Sequence, residues 1–250
     1  MLSGFLLVAI LSARWQQVKI NQFITHQKMT VTPESVKQML SSEELGDRLR
    51  AVNQIRELED KKVAFELVQS ASQDRNARVR YSAVSQMDTL GGQDLELSLN
   101  ILRDRLINDP EPDVQAAAAD CLGALKLTQA YEDLQHLYHN TPEWLVKFSI
   151  VATLGELGDL RSLDLLKEAL NSDNDLVQTA AISSLGDLGD KQAVELLIPY
   201  ASNADWQVRY RVVQALHKLG GEQARTTIET LANDEVEAVA TEAKNCLQSA

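Results

Sequence analysis

The sequence predicts an all-α protein, specifically an α-solenoid of about seven helix–turn–helix repeats. A large apolar residue, called here the anchor, returns about every 31 residues along the chain. A period of this length is typical of a stack of helical repeats. Two further observations support the same fold class: the apolar face around each anchor and the residues that flank each helix. The anchors are Ile55, Met87, Leu122, Leu154, Leu185, Leu216 and Leu247.

The apolar residues around each anchor define one face of a helix. In the fifth repeat they are Val177, Ala181, Ile182, Leu185 and Leu188, at offsets of −8, −4, −3, 0 and +3 from the anchor. Residues with this spacing lie on one side of a helix. Because the other repeats place apolar residues at most of these offsets, the pattern predicts a second helix with a buried face in every repeat.

The predicted start of each second helix is a residue with a side-chain oxygen, thirteen positions before the anchor. Such a side chain accepts a hydrogen bond from a free N–H group of the first helical turn. Pro110 and Pro142 follow two of these residues, and a proline suits the first helical position. The predicted N-caps are Ser42, Asp74, Asp109, Thr141, Ser172, Asn203 and Asp234.

Glycines mark the predicted ends of the second helices. The fourth and fifth repeats end with Leu-Gly-Glu-Leu-Gly-Asp and Leu-Gly-Asp-Leu-Gly-Asp, and the pairs at 91–92 and 220–221 hold similar positions. We expect a glycine just past the last apolar residue to adopt the left-handed conformation. Between that glycine and the next cap the pattern predicts a shorter first helix, as over 162–170 and 193–201.

The charge of the chain limits its partners. The chain has 24 basic and 36 acidic side chains and a net charge of −12, and aromatic residues make up only 5% of it. A negative net charge disfavours nonspecific binding to nucleic acid or to an anionic membrane. We therefore expect the partner to be a protein or a small ligand.

The two cysteines indicate a reducing compartment. Cys121 and Cys246 each precede an anchor, and they lie four repeats apart. Since stacked helices are spaced by about 8–10 Å, these two thiols are too far apart for a disulfide. A chain without a disulfide framework is typical of the cytoplasm.

Residues 1–28 lack the repeat pattern, and residues 29–250 are expected to form the solenoid domain. The apolar stretch at 2–11 is too short to span a hydrocarbon layer of about 30 Å, and no basic residue precedes it as in a signal peptide. We expect either a translation start upstream of the natural one or a disordered or interfacial appendage. Thr32 and Pro33 predict a capped helix where the solenoid begins.

The repeats resemble HEAT-type repeats, in particular the short Ala- and Gly-rich subclass named after phycobilisome lyases. The resemblance covers about residues 40–250 and depends on the Val-Arg pairs at 79–80 and 208–209 and on the Leu-Gly-x-Leu-Gly-Asp ends of repeats four and five. The segments at 46–54 and 78–88 are similar to a narrower family, the cyanobacterial phycobilisome degradation proteins.

The resemblance implies a role in dismantling the light-harvesting antenna, with phycobiliproteins such as phycocyanin or allophycocyanin subunits as partners. The protein would assist the detachment or handling of their thioether-linked bilin. The resemblance also implies a cytoplasmic, phycobilisome-associated protein with no permanently bound cofactor and with phycocyanobilin as a ligand. Two alternatives stay open: a non-catalytic adaptor that links phycobiliproteins to a protease or another partner, and a bilin lyase subunit. The first repeat departs from the family pattern, because Asp47 stands where valine is expected.

Cationic and aromatic side chains near the starts of the second helices form the candidate ligand or partner groove. Cations suit the propionates of a bilin, and aromatic faces suit its pyrroles. The same row suits an acidic patch on a protein. In the alternative interpretation, each arginine pairs with an acid of the adjacent repeat and the rings fill gaps between layers. The candidates are Arg48, Arg80, Tyr81, Lys147, Phe148, Arg209 and Tyr210, with Trp144 and Trp206 in the first helical turn.

The histidines and cysteines supply few candidates for catalysis. His136 and His139 share a helix face without a third ligand, so we expect a solvated surface and predict no metal site. His217 stands where other repeats have glycine and is the one histidine selected as a candidate acid or base. Cys121 and Cys246 stand one residue before an anchor, and this position is expected to be partly exposed, so that a thiol there would accept or exchange a bilin. The alternative is an inert side chain in a tight helix contact.

Overall fold

Each repeat expected from the anchors is a pair of helices joined by a turn. The computed structural model describes residues 31–249, and none of these residues is in a β-strand. The first helices are Pro33–Leu40, Lys61–Ala71, Leu95–Asn108, Tyr131–Asn140, Ser162–Ala169, Ala193–Leu197 and Glu222–Leu231. The second helices are Leu45–Ile55, Ala77–Val84 with Met87–Leu90, Pro112–Ala124, Trp144–Leu157, Asp175–Leu188, Trp206–Leu219 and Glu237–Gln248. Short 3-10 turns cover Gly91–Gln93, Thr128–Ala130 and Ile198–Ser202. The predicted α-solenoid is confirmed.

The anchors lie in one continuous core between the two rows of helices. The first six anchors have no exposed surface, and Leu247 at the end of the array is partly buried. The valines eight residues before the anchors are also buried, as Val79 and Val177 show. The first helices complete this core with buried leucines such as Leu102 and Leu134. Because each repeat buries its apolar face against its neighbours, the array is stable only as a stack.

Successive second helices approach each other most closely where the central repeats carry glycine. A Cβ added to Gly155 would lie 2.7 Å from Cα of Ser184, and one added to Gly186 would lie 2.8 Å from Cα of Ala215. Successive first helices contact each other less closely. The more closely spaced row of a curved array is the inner one, so the second helices form the inner side.

The second helices begin two residues later than predicted, and the predicted N-caps close the preceding turn instead. Their side-chain oxygens accept the N–H two residues further on, for example Asp74 from Asn76 at 2.7 Å. This bond recurs in all seven repeats. Short polar side chains can close a turn or cap a helix, and the sequence did not distinguish these roles. Pro110 and Pro142 consequently lie in the turn, while Pro112 takes the first helical position.

Of the four expected glycine helix ends, two are confirmed and the pairs at 91–92 and 220–221 differ. Gly220 has φ of 64° but an extended ψ of −171°. Gly158 and Gly189 adopt left-handed conformations with φ of 70° and 75°. Gly91 has φ of −64° and continues into a 3-10 turn. Its role is close packing, because a Cβ there would lie 2.6 Å from Cδ1 of Leu125.

The second helix of the second repeat is interrupted, which the sequence pattern did not indicate. The helix stops at Val84 and resumes at Met87. The side-chain amide of Gln86 donates to the carbonyls of Ser82 at 2.8 Å and of Val52 at 2.9 Å. The thiol of Cys121 donates to the carbonyl of Val84 at 3.2 Å. Side chains from repeats two and three thus satisfy carbonyl groups at the break.

The start of the array agrees with the predicted cap. Thr32 caps the helix Pro33–Leu40 in a reciprocal arrangement with Ser35, and Pro33 is in the first turn. The expectation for residues 1–28 lies outside the described residues. Between residues 31 and 249, no helix is both long enough and apolar enough to cross a membrane.

The glycine contact predicts a specific sensitivity. Gly155→Ala places a methyl group against backbone and should lower the free energy of unfolding by about 1–3 kcal/mol. Gly46→Ala is the matched control, because Gly46 is helical and has no atom within 4 Å of the added Cβ. The control should raise the stability by about 0.5–1 kcal/mol. Urea unfolding followed by circular dichroism measures both. Equal midpoints for the two variants would contradict close packing at Gly155.

Candidate functional site

Three of the four candidate cations are buried and paired between repeats. In each pair, the arginine seven residues before one anchor binds the aspartate thirteen residues before the next anchor. We call this contact the Arg–Asp staple. The staples are Arg48–Asp74 at 2.8 Å, Arg80–Asp109 at 2.7 Å and Arg209–Asp234 at 2.7 Å. These three arginines are therefore paired with an acid of the adjacent repeat, which is the alternative interpretation that the sequence analysis gave for them.

Each staple also fixes the turn of its own repeat. Arg80 donates through Nη1 to the carbonyl of Asp74 at 3.0 Å, while Nε and Nη2 bind the two carboxylate oxygens of Asp109. Burial opposes ionisation of Asp109, but hydrogen bonds from Arg80 and the Glu111 amide hold the pKa of this carboxyl below its usual value. Because these donors are occupied, the Arg80 guanidinium is a structural group and is unavailable to a bilin propionate.

Lys147 does not continue the row of staples. The third, fourth and fifth repeats have Gln115, Lys147 and Gln178 at the arginine position. The ammonium of Lys147 lies 5.3 Å from the ring centre of Tyr138, a cation–π contact. Gln178 donates to the carbonyl of Leu170 at 2.8 Å. The four candidate cations therefore do not form one groove.

The candidate aromatic residues divide into exposed and half-buried rings. Tyr81, Trp144 and Trp206 have exposed fractions of 47%, 48% and 42%. Phe148 and Tyr210 are half-buried against the core. Tyr81 belongs to the second repeat and the two tryptophans to the fourth and sixth, so the structure separates these rings along the array.

Tyr81 lines an open cleft of about 890 Å³ along the second helices of the first three repeats. We call it the Tyr81 cleft. Arg75 and Arg78 bring cations to it, and Glu111 and Asp113 bring carboxylates. Its remaining lining residues are Leu49, Asn76, Ala77, Ser82 and Val114. The cleft therefore presents both signs of charge beside an aromatic ring.

The two arginines of the cleft differ in their partners. Arg75 binds the carboxylate of Glu43 at 2.5 Å. Arg78 is exposed and has no ion pair with any residue between 31 and 249. Sequence reasoning selected Arg80 and missed Arg78. The position of Arg78 on the helix was the signal that could have identified it. Arg78 and Arg80 are two residues apart and therefore face nearly opposite sides of the helix, and Arg80 directly follows the buried Val79.

His217 is distant from the candidate residues Arg209 and Tyr210 of the same helix. It is exposed in the last turn of Trp206–Leu219, whereas Arg209 and Tyr210 lie in the first turns of that helix. Two helical turns separate them, about 10 Å along the axis. None of the hydrogen bonds and ion pairs of residues 31–249 includes the His217 ring. This part of the chain thus gives His217 no partner for acid–base chemistry.

His136 and His139 lie on the solvated surface. His139 is exposed, with Nε2 2.9 Å from a carboxylate oxygen of the exposed Glu168, and His136 is exposed one turn earlier. In the portion of the chain that the structure describes, no three His, Cys, Asp or Glu side chains group as metal ligands.

The expected partial exposure of the cysteines is wrong. Cys121 and Cys246 are buried, with exposed fractions of 2% and 7%. This position is buried because the residue just before the anchor packs between neighbouring second helices, as Ser184 does against Gly155. Burial raises the pKa of the Cys121 thiol to about 12, and burial also raises the pKa of Cys246. A thiol that stays protonated at neutral pH is a poor bilin acceptor.

The burial of the thiols predicts low reactivity. Native protein treated with iodoacetamide at pH 8 should incorporate label at Cys121 at least 100-fold more slowly than protein unfolded in guanidinium chloride, because the thiolate is scarce and enclosed. Mass spectrometry of tryptic peptides measures the label, with Cys246 as the internal comparison. Equal rates for native and unfolded protein would contradict the buried assignment.

The staple predicts a large loss of stability on its removal. Arg80→Ala leaves the carboxylate of Asp109 buried without its cation and should cost about 3–5 kcal/mol. Arg78→Ala, two residues away and exposed, is the control and should change stability by less than about 0.5 kcal/mol. Urea unfolding at pH 7 compares them. A loss below about 1 kcal/mol for Arg80→Ala would show that the staple contributes little.

Two solved structures share this arrangement of helix pairs. One is the complex of CpcE and CpcF of phycocyanin lyase from Nostoc sp. PCC7120, with 20% identity, a TM-score of 0.58 and coverage of 88% of this chain and 95% of that chain. The other is a HEAT-like repeats protein of the archaeon Thermococcus onnurineus NA1, with 15% identity, a TM-score of 0.53 and coverage of 87% and 96%. At these identities the similarity establishes the fold.

The sequence match identifies the repeats. A search of curated proteins finds no match. A family model described as HEAT repeats matches residues 99–186 and 172–248. These ranges cover more than half of the chain and include the anchors of the third to seventh repeats. This chain therefore belongs to the HEAT-repeat family.

Proposed function

We propose that this chain binds phycobiliproteins during phycobilisome disassembly and holds the bilin-bearing face of its client in the Tyr81 cleft. The observation that carries the proposal is the cleft itself, where the exposed ring of Tyr81 lies among free and paired charges. Its volume of about 890 Å³ is in the usual range for small-ligand sites. The proposed client segment is a phycocyanobilin with the protein surface around its cysteine.

The chemistry of a bilin matches the lining of the cleft. Arg78, which has no ion pair with a described residue, can bind a propionate through two parallel hydrogen bonds. The face of Tyr81 can stack on a pyrrole ring. Glu111 and Asp113 can accept hydrogen bonds from pyrrole N–H groups, which are donors. Leu49 and Val114 supply apolar contacts. The stapled Arg80 takes no part in this binding.

A binding role without bond cleavage fits these residues best. The two thiols are buried, and the described contacts give His217 no partner in the cleft. We therefore favour an adaptor that holds a phycobiliprotein and presents it to a second partner such as a protease. The resemblance of segments 46–54 and 78–88 to the phycobilisome degradation protein NblB supports this pathway, since 78–88 contains Arg78 and Tyr81. Localisation at the phycobilisome follows from the same proposal.

A bilin lyase subunit is the second candidate. It is favoured by the shared fold with the CpcE–CpcF complex of phycocyanin lyase. In that case the chain would require a second polypeptide to complete a catalytic site. Dependence of any bilin transfer on an added partner chain would support this candidate over the adaptor.

Binding to purified phycocyanin tests the proposal. Tyr81→Ala and Arg78→Ala should each weaken binding by about 1.5–3 kcal/mol, roughly 10- to 150-fold, because each removes a stacking or charge-assisted contact. Leu160→Ala and Arg225→Ala are matched controls, since both residues are exposed and lie outside the cleft. Calorimetry measures the affinity, and circular dichroism checks that all variants are folded.

Two outcomes would contradict the proposal. One is unchanged affinity of the Tyr81 and Arg78 variants, which would exclude the cleft as the site. The other is a lack of binding by the unaltered protein. The visible absorbance of the bound phycocyanin distinguishes an adaptor from a detaching protein. An adaptor leaves the bilin attached, so the spectrum of the covalently bound bilin persists. A detaching protein releases the bilin, so that spectrum is lost.

A further inference from the structure

Three large apolar side chains are exposed on consecutive repeats outside the Tyr81 cleft. Trp144, Leu176 and Trp206 have exposed fractions of 48%, 54% and 42%. Each lies in the first turn of the second helix of its repeat, in the fourth, fifth and sixth repeats. We call these three residues the Trp row. Exposed side chains of this size normally occur singly, so a row over three repeats indicates an interaction surface.

The repeat sets the approximate spacing of the Trp row, in which Trp144 and Trp206 lie ten residues before their anchors and Leu176 lies nine residues before its anchor. Adjacent helices of a stack lie about 8–10 Å apart, so the row extends over about 16–20 Å. One turn beyond each tryptophan, Phe148 and Tyr210 pack half-buried against the core. The helices that carry the row are joined by the glycine contacts of Gly155 and Gly186. The exposed side chains are therefore held on rigid elements, one on each of three consecutive repeats.

The charges around the Trp row are negative. Glu143, Asp173, Asp175 and Asp205 are exposed next to the row and form no ion pair with any residue between 31 and 249. The nearby Lys147 is directed to the ring of Tyr138. The guanidinium of Arg209 is buried in a staple with Asp234, as described above. Arg209 attracts Asp205 electrostatically, but its charge is already paired with Asp234, so the four carboxylates keep an excess of negative charge, in contrast with the Tyr81 cleft and its two arginines.

We propose that the Trp row binds a cationic amphipathic helix of a partner protein. Apolar side chains seven residues apart on a helix are separated by about 10.5 Å, which matches the spacing of the repeats. A helix with apolar residues at i, i+7 and i+14 would contact all three members of the row. Lys and Arg residues on its flanks would meet the four carboxylates. This surface lies on repeats four to six, is separate from the Tyr81 cleft, and stands whether or not the cleft binds phycobiliprotein.

A synthetic peptide tests the surface on the full chain. The probe is a labelled 21-residue helix with leucine at heptad a and d positions and lysine elsewhere. Trp144→Ala and Trp206→Ala should each weaken its binding at least 10-fold. Asp173→Asn, Asp175→Asn and Asp205→Asn combined should weaken it at least 10-fold and reduce its salt dependence. Asparagine retains the capping role of Asp205, which accepts from the Gln207 amide.

The controls separate this surface from general charge attraction. Leu160→Ala removes an equally exposed apolar side chain outside the row and should not change peptide affinity. Tyr81→Ala should also leave it unchanged, so failure of the cleft proposal would be visible separately. The proposal is overturned if the aspartate variants weaken binding while the tryptophan variants do not, since only charge would then act. It is also overturned if the same peptide with prolines substituted to prevent helix formation binds equally well.

Discussion

The Arg–Asp staple is the interaction on which the arrangement of the inner surface depends. A buried guanidinium is tolerated only when its donors are satisfied, and Arg80 satisfies its donors on two different repeats. One hydrogen bond reaches the turn that leads to Arg75 and Arg78, and two reach Asp109 in the turn before Glu111. A single side chain thus fixes both walls of the Tyr81 cleft, although it contributes nothing to its lining.

The junctions without a staple carry the glycine contact instead. The third, fourth and fifth repeats have Gly123, Gly155 and Gly186 just after the anchor, and the first, second and sixth repeats have larger residues there. In those three central repeats a glutamine or lysine replaces the staple arginine. The array therefore uses a buried ion pair at some junctions and close contact of helix backbones at others. His217 fits this division, because it occupies the glycine position of a stapled repeat.

The sequence predicted the solenoid because the buried positions repeat with the helical period and the anchors cannot be polar. It did not place the helix starts, because an aspartate or serine before a helix can close a turn or cap the helix. It selected Arg80 and left its burial open, because the partner of Arg80 lies 29 residues away. The pairing was nevertheless readable in part: arginine occurs only where the next repeat supplies aspartate. The cleft required coordinates, since its residues come from three repeats.

The staple also gives the array a direction. A staple takes its arginine from one repeat and its aspartate from the next, and a repeat can carry either residue without the other. The second repeat carries both Asp74 and Arg80, whereas the third has the aspartate without the arginine and the sixth has the arginine without the aspartate. A tandem copy of the second, fourth or fifth repeat would leave no staple charge unpaired, whereas a copy of the first, third, sixth or seventh repeat would leave one. Growth of such a protein by duplication is therefore permitted at repeats that carry both staple residues or neither, and it is opposed at repeats that carry only one of the two.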